Sequence, residues 1–267
     1  PLREMIDATS AMASGDYSQR VRATSRDEVG TLAVAFNAMA AELGQQEILR
    51  RDLIANVSHE LRTPLAAIQA QLENIVDGVT EPDPAALEVV LTHTERLGRL
   101  LEDLLDMSRI EAGADPLDTE DIELARFLDD AAADMFPIAA GKGVQIQIDV
   151  DPADLRVNLN VERMNQVMTN LLDNAVRHTG EDTVVTVSGY AERGWVVIEV
   201  LDQGPGIAPA DRERIFNRFE RSGSADPATG GTGLGLAIVR WVVGLHGGNV
   251  HAADSSVGAR IRVRLPR

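Results

Sequence analysis

The sequence predicts a multidomain chain: parallel all-α helices, then a helical hairpin that forms a four-helix bundle on dimerisation, then an α/β two-layer sandwich. Three observations carry this expectation. Residues 1–116 place apolar side chains at helical spacing, whereas residues 117–267 mix β-type alternation with two long helical patterns. Between them, Gly113-Ala-Asp-Pro-Leu-Asp-Thr-Glu-Asp121 is a turn-rich break that serves as a domain boundary.

Taken in chain order, the first helix carries Leu2, Met5, Ile6 and Met12 on one face, with Thr9 as a half-polar member, and ends at Gly15-Asp16. The connector through Ser25-Arg-Asp-Glu-Val29 has the extended, polar character of a link between parallel helices. Val29, Leu32, Phe36, Met39 and Leu43 then follow at spacings of 3, 4, 3 and 4, the seam of a helix bundle. Neither helix buries its stripe alone, so dimerisation is expected. Ile54, Val57, Leu61, Leu65, Ile68, Leu72 and Ile75 make a third stripe, and Leu87, Val90, Leu97, Leu101 and Leu104 a fourth. In the turn between them, Asp83 suits the N-cap and Pro84 the first helical position, which predicts an antiparallel hairpin. Leu43 and Ile54 are 11 residues apart, a heptad plus four, so the two seams meet at a stutter. A conformational switch and a passive connector both fit that mismatch.

The second half reads as strands at Val144–Val150, Thr183–Gly189, Trp195–Leu201 and Ala259–Leu265, with helices over Val161–His178 and Gly233–His246. Strands neighbouring mostly in hairpin style, with long helices between, predict a mixed sheet with helices on one face.

Composition bounds the chemistry. The 267 residues are 44% hydrophobic, enough for two or three modest domains, and the absence of cysteine removes disulfides, cysteine zinc sites and thiol catalysis. No apolar run approaches the ~18 residues of a membrane span. The opening PLREMIDATS has neither an initiator Met nor a signal-peptide pattern, so a piece cut from a longer protein is expected, with a membrane anchor upstream left open. A net charge of −17 argues against sequence-independent nucleic-acid binding and reads as solubility. The acidity is spread over both halves, so any phosphate site must be built locally. Lys142 alone among 25 basic residues is a lysine, a skew read as composition. At 3%, aromatic residues are too sparse for a base-stacking surface, and Trp195 and Trp241 read as packing. His93, on the second hairpin helix, is expected to face solvent or the bundle, and His246 and His251 lack a third ligand or helical metal spacing, so no zinc or iron site is expected.

Four motifs carry candidate chemistry. With Ile54 at heptad position a, His59 falls on the face away from the seam, Glu60 adjoins it and Thr63 lies one turn further on. Pro64 lacks an N–H and clashes with the Glu60 carbonyl, loosening the helix beside the histidine. This suits a nucleophile approached by another domain, though an ordinary solvent-facing histidine reads the same in isolation. Asn170 and Asn174 share one face of a helix, with Arg177 near the next turn; neutral amide oxygens suit Mg²⁺ whose other ligands are water and phosphate, and equally suit a polar surface. Asp202-Gln-Gly-Pro-Gly206 follows a strand, where a carboxylate accepts from the exocyclic amine of adenine and glycines admit the base; an ordinary strand-to-turn junction has the same form. Gly230-Gly-Thr-Gly-Leu-Gly-Leu236 runs into a helix and offers converging N–H groups to an anion, behind a polar stretch Arg221–Gly230 suited to a lid or to a plain surface loop. No Lys-Ser/Thr follows these glycines, so they are not a Walker loop, and they do not open a dinucleotide fold.

In this order the motifs resemble a bacterial sensor histidine kinase of the two-component class. Residues 1–44 resemble a HAMP signal-relay module through Asp27-Glu-Val-Gly30 and Phe36-Asn37. Residues 45–113 resemble the dimerisation and phosphoacceptor domain through Ser58-His-Glu-Leu-Arg-Thr-Pro-Leu65. Residues 114–267 resemble the ATP-binding domain of the Bergerat fold shared with gyrase, heat-shock chaperones and mismatch-repair ATPases.

The resemblance implies a role for each matching position. His59 attacks the γ-phosphoryl of ATP while Glu60 orients the imidazole and takes its other proton. Asn174, supported by Asn170, holds Mg²⁺, and Arg177 meets phosphate oxygens. Asp202 reads adenine, with Gly204 and Gly206 allowing its approach. Phe216 and Phe219 anchor the lid, and Arg221 stabilises the transferring phosphoryl. Gly231, Thr232, Gly233 and Gly235 shape the phosphate-facing loop. Thr63 completes a Glu-x-x-Thr pattern that positions water for dephosphorylating the partner. The implied partners are a second copy of the chain and the receiver domain of a response regulator, with no nucleic acid. The implied location is the cytoplasmic face of the bacterial membrane, the chain itself being a soluble cytoplasmic fragment whose transmembrane sensor region lies upstream. The sequence departs from the family at His178, where Tyr is common, at Glu220, at Asn160 and in a last glycine motif reduced to Gly258-Ala259. Two competing classes remain: an ATP-binding scaffold with poor turnover, and an ATPase of the chaperone or gyrase type.

Overall fold

The computed structural model describes residues 2–22, 27–111, 117–220 and 233–267. The chain divides into two compact units, Pro1–His93 and Thr94–Arg267.

In the first unit, helix α1 (Leu2–Ala13) buries Met5, Ala8 and Met12. Leu2 and Ile6, expected on the buried face, are exposed instead. The small Ala8 carries the close approach, so the buried line runs at spacings of three and four through Met5 and Met12. Gly15 ends the helix at φ 91°, its N–H on the Met12 carbonyl at 2.9 Å, a left-handed cap that glycine adopts without strain.

Helix α2 (Glu28–Val76) runs 49 residues, about 74 Å at 1.5 Å per residue. Asp27 caps it, accepting from the Val29 and Gly30 amides at 3.1 and 3.2 Å. Ala33, Phe36 and Ala40 share a core with Met5, Ala8, Met12 and Val21, and Tyr17 packs against it. The expected seam is divided here, with part of it left for another surface, as a stripe that neither helix buries alone requires. Phe36 lies in this core, but Leu32, Met39 and Leu43 are exposed, because the intramolecular contact uses the alanine line and leaves the larger side chains on another face. Asn37 pins the connector to α2, its amide bracketing the backbone of Val21 with bonds of 2.9 and 2.8 Å. Part of that connector, including Ser25 and Arg26, lies outside the described residues.

The 11-residue stutter between Leu43 and Ile54 falls inside the uninterrupted α2, and Pro64 is accommodated within it. Beyond the C-cap Asp77, Gly78 reverses the chain at φ 69°. Helix α3 (Pro84–Glu111) begins at the expected proline, with Asp83 accepting from the Ala86 amide at 2.7 Å. Ile54, Leu65 and Leu72 of α2 and Leu87 of α3 remain exposed.

After the part of α3 that follows His93, the second unit continues with β1 (Glu120–Glu123), α4 (Leu124–Ala132), α5 (Met135–Gly141), β2 (Gln145–Asp151) and β3 (Arg156–Leu159). Helix α6 (Val161–His178), β4 (Val184–Glu192), β5 (Trp195–Leu201) and a single 3-10 turn (Arg214–Phe216) follow, then α7 (Gly235–Leu245), β6 (Asn249–Ala253) and β7 (Arg260–Pro266). The five-stranded sheet has the order β2-β4-β5-β7-β6, with β2 and β4 parallel and the other pairs antiparallel. β1 and β3 form a separate antiparallel pair. Helices α4, α6 and α7 pack on one face, where Val185, Val187, Ile198, Val200, Ile261 and Val263 are buried. This is the expected α/β two-layer sandwich. The register Leu201↔Arg260 sets the end of β5 beside the start of β7, and that junction positions the site. Among the described residues no helix is long and apolar enough to cross a membrane.

The histidine read as unremarkable, His246, has a structural task. Its Nε2 accepts from the Asn160 amide at 3.0 Å, so Nδ1 carries the hydrogen and donates to the Val242 carbonyl at 2.8 Å. Asn160 in turn caps α6 through the Arg163 amide and donates to the Asp118 carbonyl. Burial lowers the pKa of His246 from 6.5, and burial likewise lowers those of His178 and His251. A proton on Nε2 also faces the Asn160 N–H, donor against donor. A depressed folded value contributes stability that is present above 6.5 and is lost as pH falls through the folded value. Denaturant unfolding from pH 8 to 5 is therefore expected to show stability falling below 6.5. His246→Ala is expected to cost about 2 kcal/mol at pH 7.5, by leaving the Asn160 amide without its acceptor, and to flatten part of that slope.

Candidate functional site

Each unit contributes a group of candidate residues. On α2, His59 is exposed, as its heptad position predicts, with Glu60 half-buried beside it and Thr63 exposed one turn on. The Thr63 hydroxyl donates to the His59 carbonyl at 3.4 Å and that of Ser58 to the Ile54 carbonyl at 2.8 Å. Four residues after Glu60, the ring nitrogen of the buried Pro64 offers no hydrogen to the Glu60 carbonyl, so the helix ladder is interrupted beside His59.

In the second unit the site lies where α6, the end of β5 and the start of α7 meet. Helix α6 buries Met164, Val167, Met168, Leu171, Leu172, Ala175 and Val176, which leaves Asn170 and Asn174 half-buried at the border of its apolar face. Asn170 lies against α7: a Cβ at Gly235 would come within 3.0 Å of its Oδ1. Arg177 is ion-paired with Asp173, one turn back. Burial, and after it the Arg177 charge, lower the pKa of His178 beside the site.

Asp202 is the centre of the group. At 4% exposure its carboxylate is buried, and Oδ1 accepts from the Gly204 amide at 2.8 Å and the Ala259 amide at 2.9 Å. Among the described residues its side-chain hydrogen bonds all run through Oδ1, which leaves Oδ2 as an acceptor for a ligand. The glycines around it are required by space. A Cβ on Gly204 would stand 2.5 Å from the His178 carbonyl oxygen, and one on Gly258, at φ 73°, would stand 2.1 Å from that of Asp202. Gly258 and Ala259 thus belong to the site, although the sequence reading noted them only as a shortened motif. Ala259 acts through its backbone N–H, which any residue but proline supplies, so a second glycine is not needed there.

Toward α7, the Phe219 amide donates to the Gly233 carbonyl at 2.8 Å. Both residues have positive φ, 60° and 71°, and a Cβ on Gly233 would lie 2.9 Å from the Phe219 Cα. The expected anchor Phe216 is buried, and Arg240 of α7 holds the adjoining 3-10 turn through Glu213 and Asn217. The expected site residues Arg221, Gly231 and Thr232, and the stretch Arg221–Gly230 read as a lid, lie outside the described residues. The structure therefore brings Asn170, Asp202, Gly204, Gly206, Gly233 and Gly235 into one region, with Asn174 and Arg177 on the same helix. Among the described residues no group of three or more acidic or imidazole side chains forms a metal cluster. Neutral amides at the border of α6 fit a cation whose remaining ligands are phosphate and water.

The comparisons with known proteins agree with this geometry. Residues 1–45 match the HAMP domain, residues 49–113 the His Kinase A (phospho-acceptor) domain, and residues 159–267 the histidine kinase-, DNA gyrase B- and HSP90-like ATPase family. The signal transduction histidine-protein kinase BaeS of Escherichia coli is 35% identical over 268 residues, covering all of this chain and 57% of the relative. The structure of the Acinetobacter baumannii histidine kinase AdeS superposes with a TM-score of 0.66 at 25% identity, over 78% of this chain and 97% of that one. That of the histidine kinase ThkA in complex with response regulator protein TrrA superposes with a TM-score of 0.70 at 23% identity, over 84% and 64%, a likeness of fold. The chain belongs to the sensor histidine kinases of two-component signalling. It spans roughly half to three-fifths of the length of the curated relatives it matches.

Because Gly258 combines a positive φ with contact against backbone, Gly258→Ala is expected to destabilise the second unit by more than about 2 kcal/mol, read by chemical denaturation. Ala259→Ser, which keeps the N–H, is expected to be close to neutral.

Proposed function

We propose that this chain is the signalling and catalytic portion of a dimeric sensor kinase that phosphorylates His59 from Mg-ATP and passes the phosphoryl group to an aspartate of a response-regulator receiver domain. The observation that carries the reading is an exposed histidine beside a carboxylate, on the same chain as a buried Asp202 with one free carboxylate oxygen. The domain limits that go with it are a relay module at 1–44, a dimerisation and phosphoacceptor hairpin at 45–113 and a nucleotide domain at 114–267. Exposed Leu32, Met39 and Leu43, with Ile54, Leu65 and Leu72 further along α2, support burial against a second copy.

Oδ2 of Asp202 accepts from the amine of adenine, while Gly204 and Gly206 let the loop pack closely on the backbone of His178 and Gly258 beside it. Asn170 and Asn174 would hold Mg²⁺, which when bound neutralises phosphate charge. The N-terminal end of α7, at Gly235, lies against Asn170 and adds its partial positive charge. Arg177 exchanges Asp173 for phosphate oxygens. On α2, Glu60 accepts a proton from one imidazole nitrogen of His59, so the other carries a lone pair for attack on the γ-phosphoryl. Thr63, one turn away, positions water for the reverse task of dephosphorylating the regulator. The HAMP match and the sensor-kinase relatives support a location at the cytoplasmic face of a membrane, below a sensor segment.

Incubation with γ-labelled ATP and Mg²⁺ tests this directly. The wild type is expected to acquire acid-labile, alkali-resistant label, and His59→Ala and Asn174→Ala each to lose more than about 99% of it, the direction expected when a nucleophile or a metal-holding group is removed. Label that persists in His59→Ala, or that resists acid, contradicts the assignment. ATP binding without any label favours the scaffold alternative.

A further inference from the structure

Lys142 was read from the sequence as a composition accident. It lies in the turn that ends α5, and Gly143 beside it sits at φ 72°, where a Cβ would meet the Asp182 carboxylate at 2.6 Å. From that turn its Nζ reaches the far end of α6 and donates to three backbone carbonyls: Val176 at 2.8 Å, Arg177 at 2.9 Å and Thr179 at 2.6 Å. A helix ends in carbonyls with no partner in the helix, at the negative end of its dipole. A tetrahedral ammonium has three hydrogens to give, so one side chain meets two carbonyls of the helix end, Val176 and Arg177, and that of the cap residue Thr179. A guanidinium, planar and with its hydrogens fixed in one plane, cannot aim at three converging oxygens. The chain uses arginine at every other Lys/Arg position and departs from that habit only here.

What Lys142 fastens is the floor of the base-reading loop. The His178 carbonyl oxygen is the atom that Gly204 approaches within Cβ distance, and the Thr179 hydroxyl accepts from the Gln203 amide at 3.3 Å. The loop Asp202–Gly206 therefore rests on the same turn that the ammonium ties down. We infer that Lys142 is a positioning residue of the nucleotide site: by clamping the last carbonyls of α6 it holds the turn Arg177–Thr179 in the shape on which Gln203 and Gly204 lie, and so fixes where Asp202 presents its free oxygen. The inference rests on the nucleotide reading of the site. Lys142 touches no part of the nucleotide in this arrangement, and its effect passes through the loop.

The test uses the full chain, with Lys142→Met, which removes the ammonium, and Lys142→Arg, which keeps the charge and loses the tetrahedral geometry. Calorimetric Kd and autophosphorylation KM for Mg-ATP are measured beside kcat and the thermal midpoint. Lys142→Met is expected to raise Kd and KM about tenfold with kcat at saturating ATP within about twofold, as fits the loss of charge-assisted hydrogen bonds that shape only the binding loop. Lys142→Arg is expected to raise Kd several-fold. A lowered thermal midpoint with unchanged Kd, or a fall in kcat with unchanged KM, makes the residue merely structural and overturns the inference. If the Met variant does not fold, the Arg variant decides alone, and an unchanged Kd overturns it. Wild-type protein that fails to bind ATP overturns the nucleotide reading itself, whereas wild type that binds ATP beside variants of equal affinity overturns only the role of Lys142.

Discussion

Asp202 places a carboxylate at 4% exposure between the end of β5 and the start of β7. A buried charge costs several kcal/mol unless it is met by donors. Two backbone amides meet it, one from its own loop and one from across the sheet, and the Asp202 amide returns a bond of 3.0 Å to the Ala259 carbonyl. These bonds require the chain at 258 to come so close that only glycine fits, and they place the chain at 204 against the end of α6. The register of the β5–β7 pair, the glycines and the terminal turn of α6 are thus consequences of satisfying one carboxylate. What remains of it, a single oxygen, is the feature a base can read.

The first unit is organised by a different constraint. Its intramolecular core is built on small residues, Ala8, Ala33 and Ala40, with Met5, Met12 and Phe36 filling around them. Alanine lines let two helices approach closely but bury little area, so much of the apolar surface of α2 stays outside the protomer. One continuous helix carries both that surface and His59. A rotation or shift imposed at its first turns is therefore delivered to the histidine without an intervening joint, the hydrogen-bond ladder being interrupted only beyond it, at Pro64.

Much of this was legible in the sequence because the strongest signals are local. Asp83-Pro84 specifies a helix start by capping chemistry, α6 declares itself by seven buried apolar residues at helical period, and β4, β5 and β7 are rich in valine and isoleucine. What was not legible depends on contacts between distant segments. β1 and β3 have four residues each, too few for a period, and are strands because they pair with each other. α1 buries Met5, Ala8 and Met12 rather than Leu2 and Ile6, and the start of α2 buries Ala33, Phe36 and Ala40 rather than Leu32, Met39 and Leu43, a choice made by close packing that hydropathy does not encode. Lys142 acts 34 to 37 residues away, on carbonyls that carry no side-chain signature, and His246 acts on an amide 86 residues away. The functional motifs were legible because each joins several special residues within a few positions. Their geometry, above all which oxygen of Asp202 is already committed, was not.

The proposed role of the free oxygen of Asp202 is to read an exocyclic amine. The direct measurement is the affinity of the full chain for Mg-ATP and Mg-GTP, in wild type and in Asp202→Asn. The amide keeps an oxygen for the Gly204 and Ala259 amides and replaces the free oxygen by an NH₂ group, a donor where an acceptor stood. Wild type should prefer ATP by more than about tenfold, and Asp202→Asn should lose most of that preference with ATP affinity reduced. Equal affinities in wild type, or an unchanged preference in the folded variant, would contradict the account.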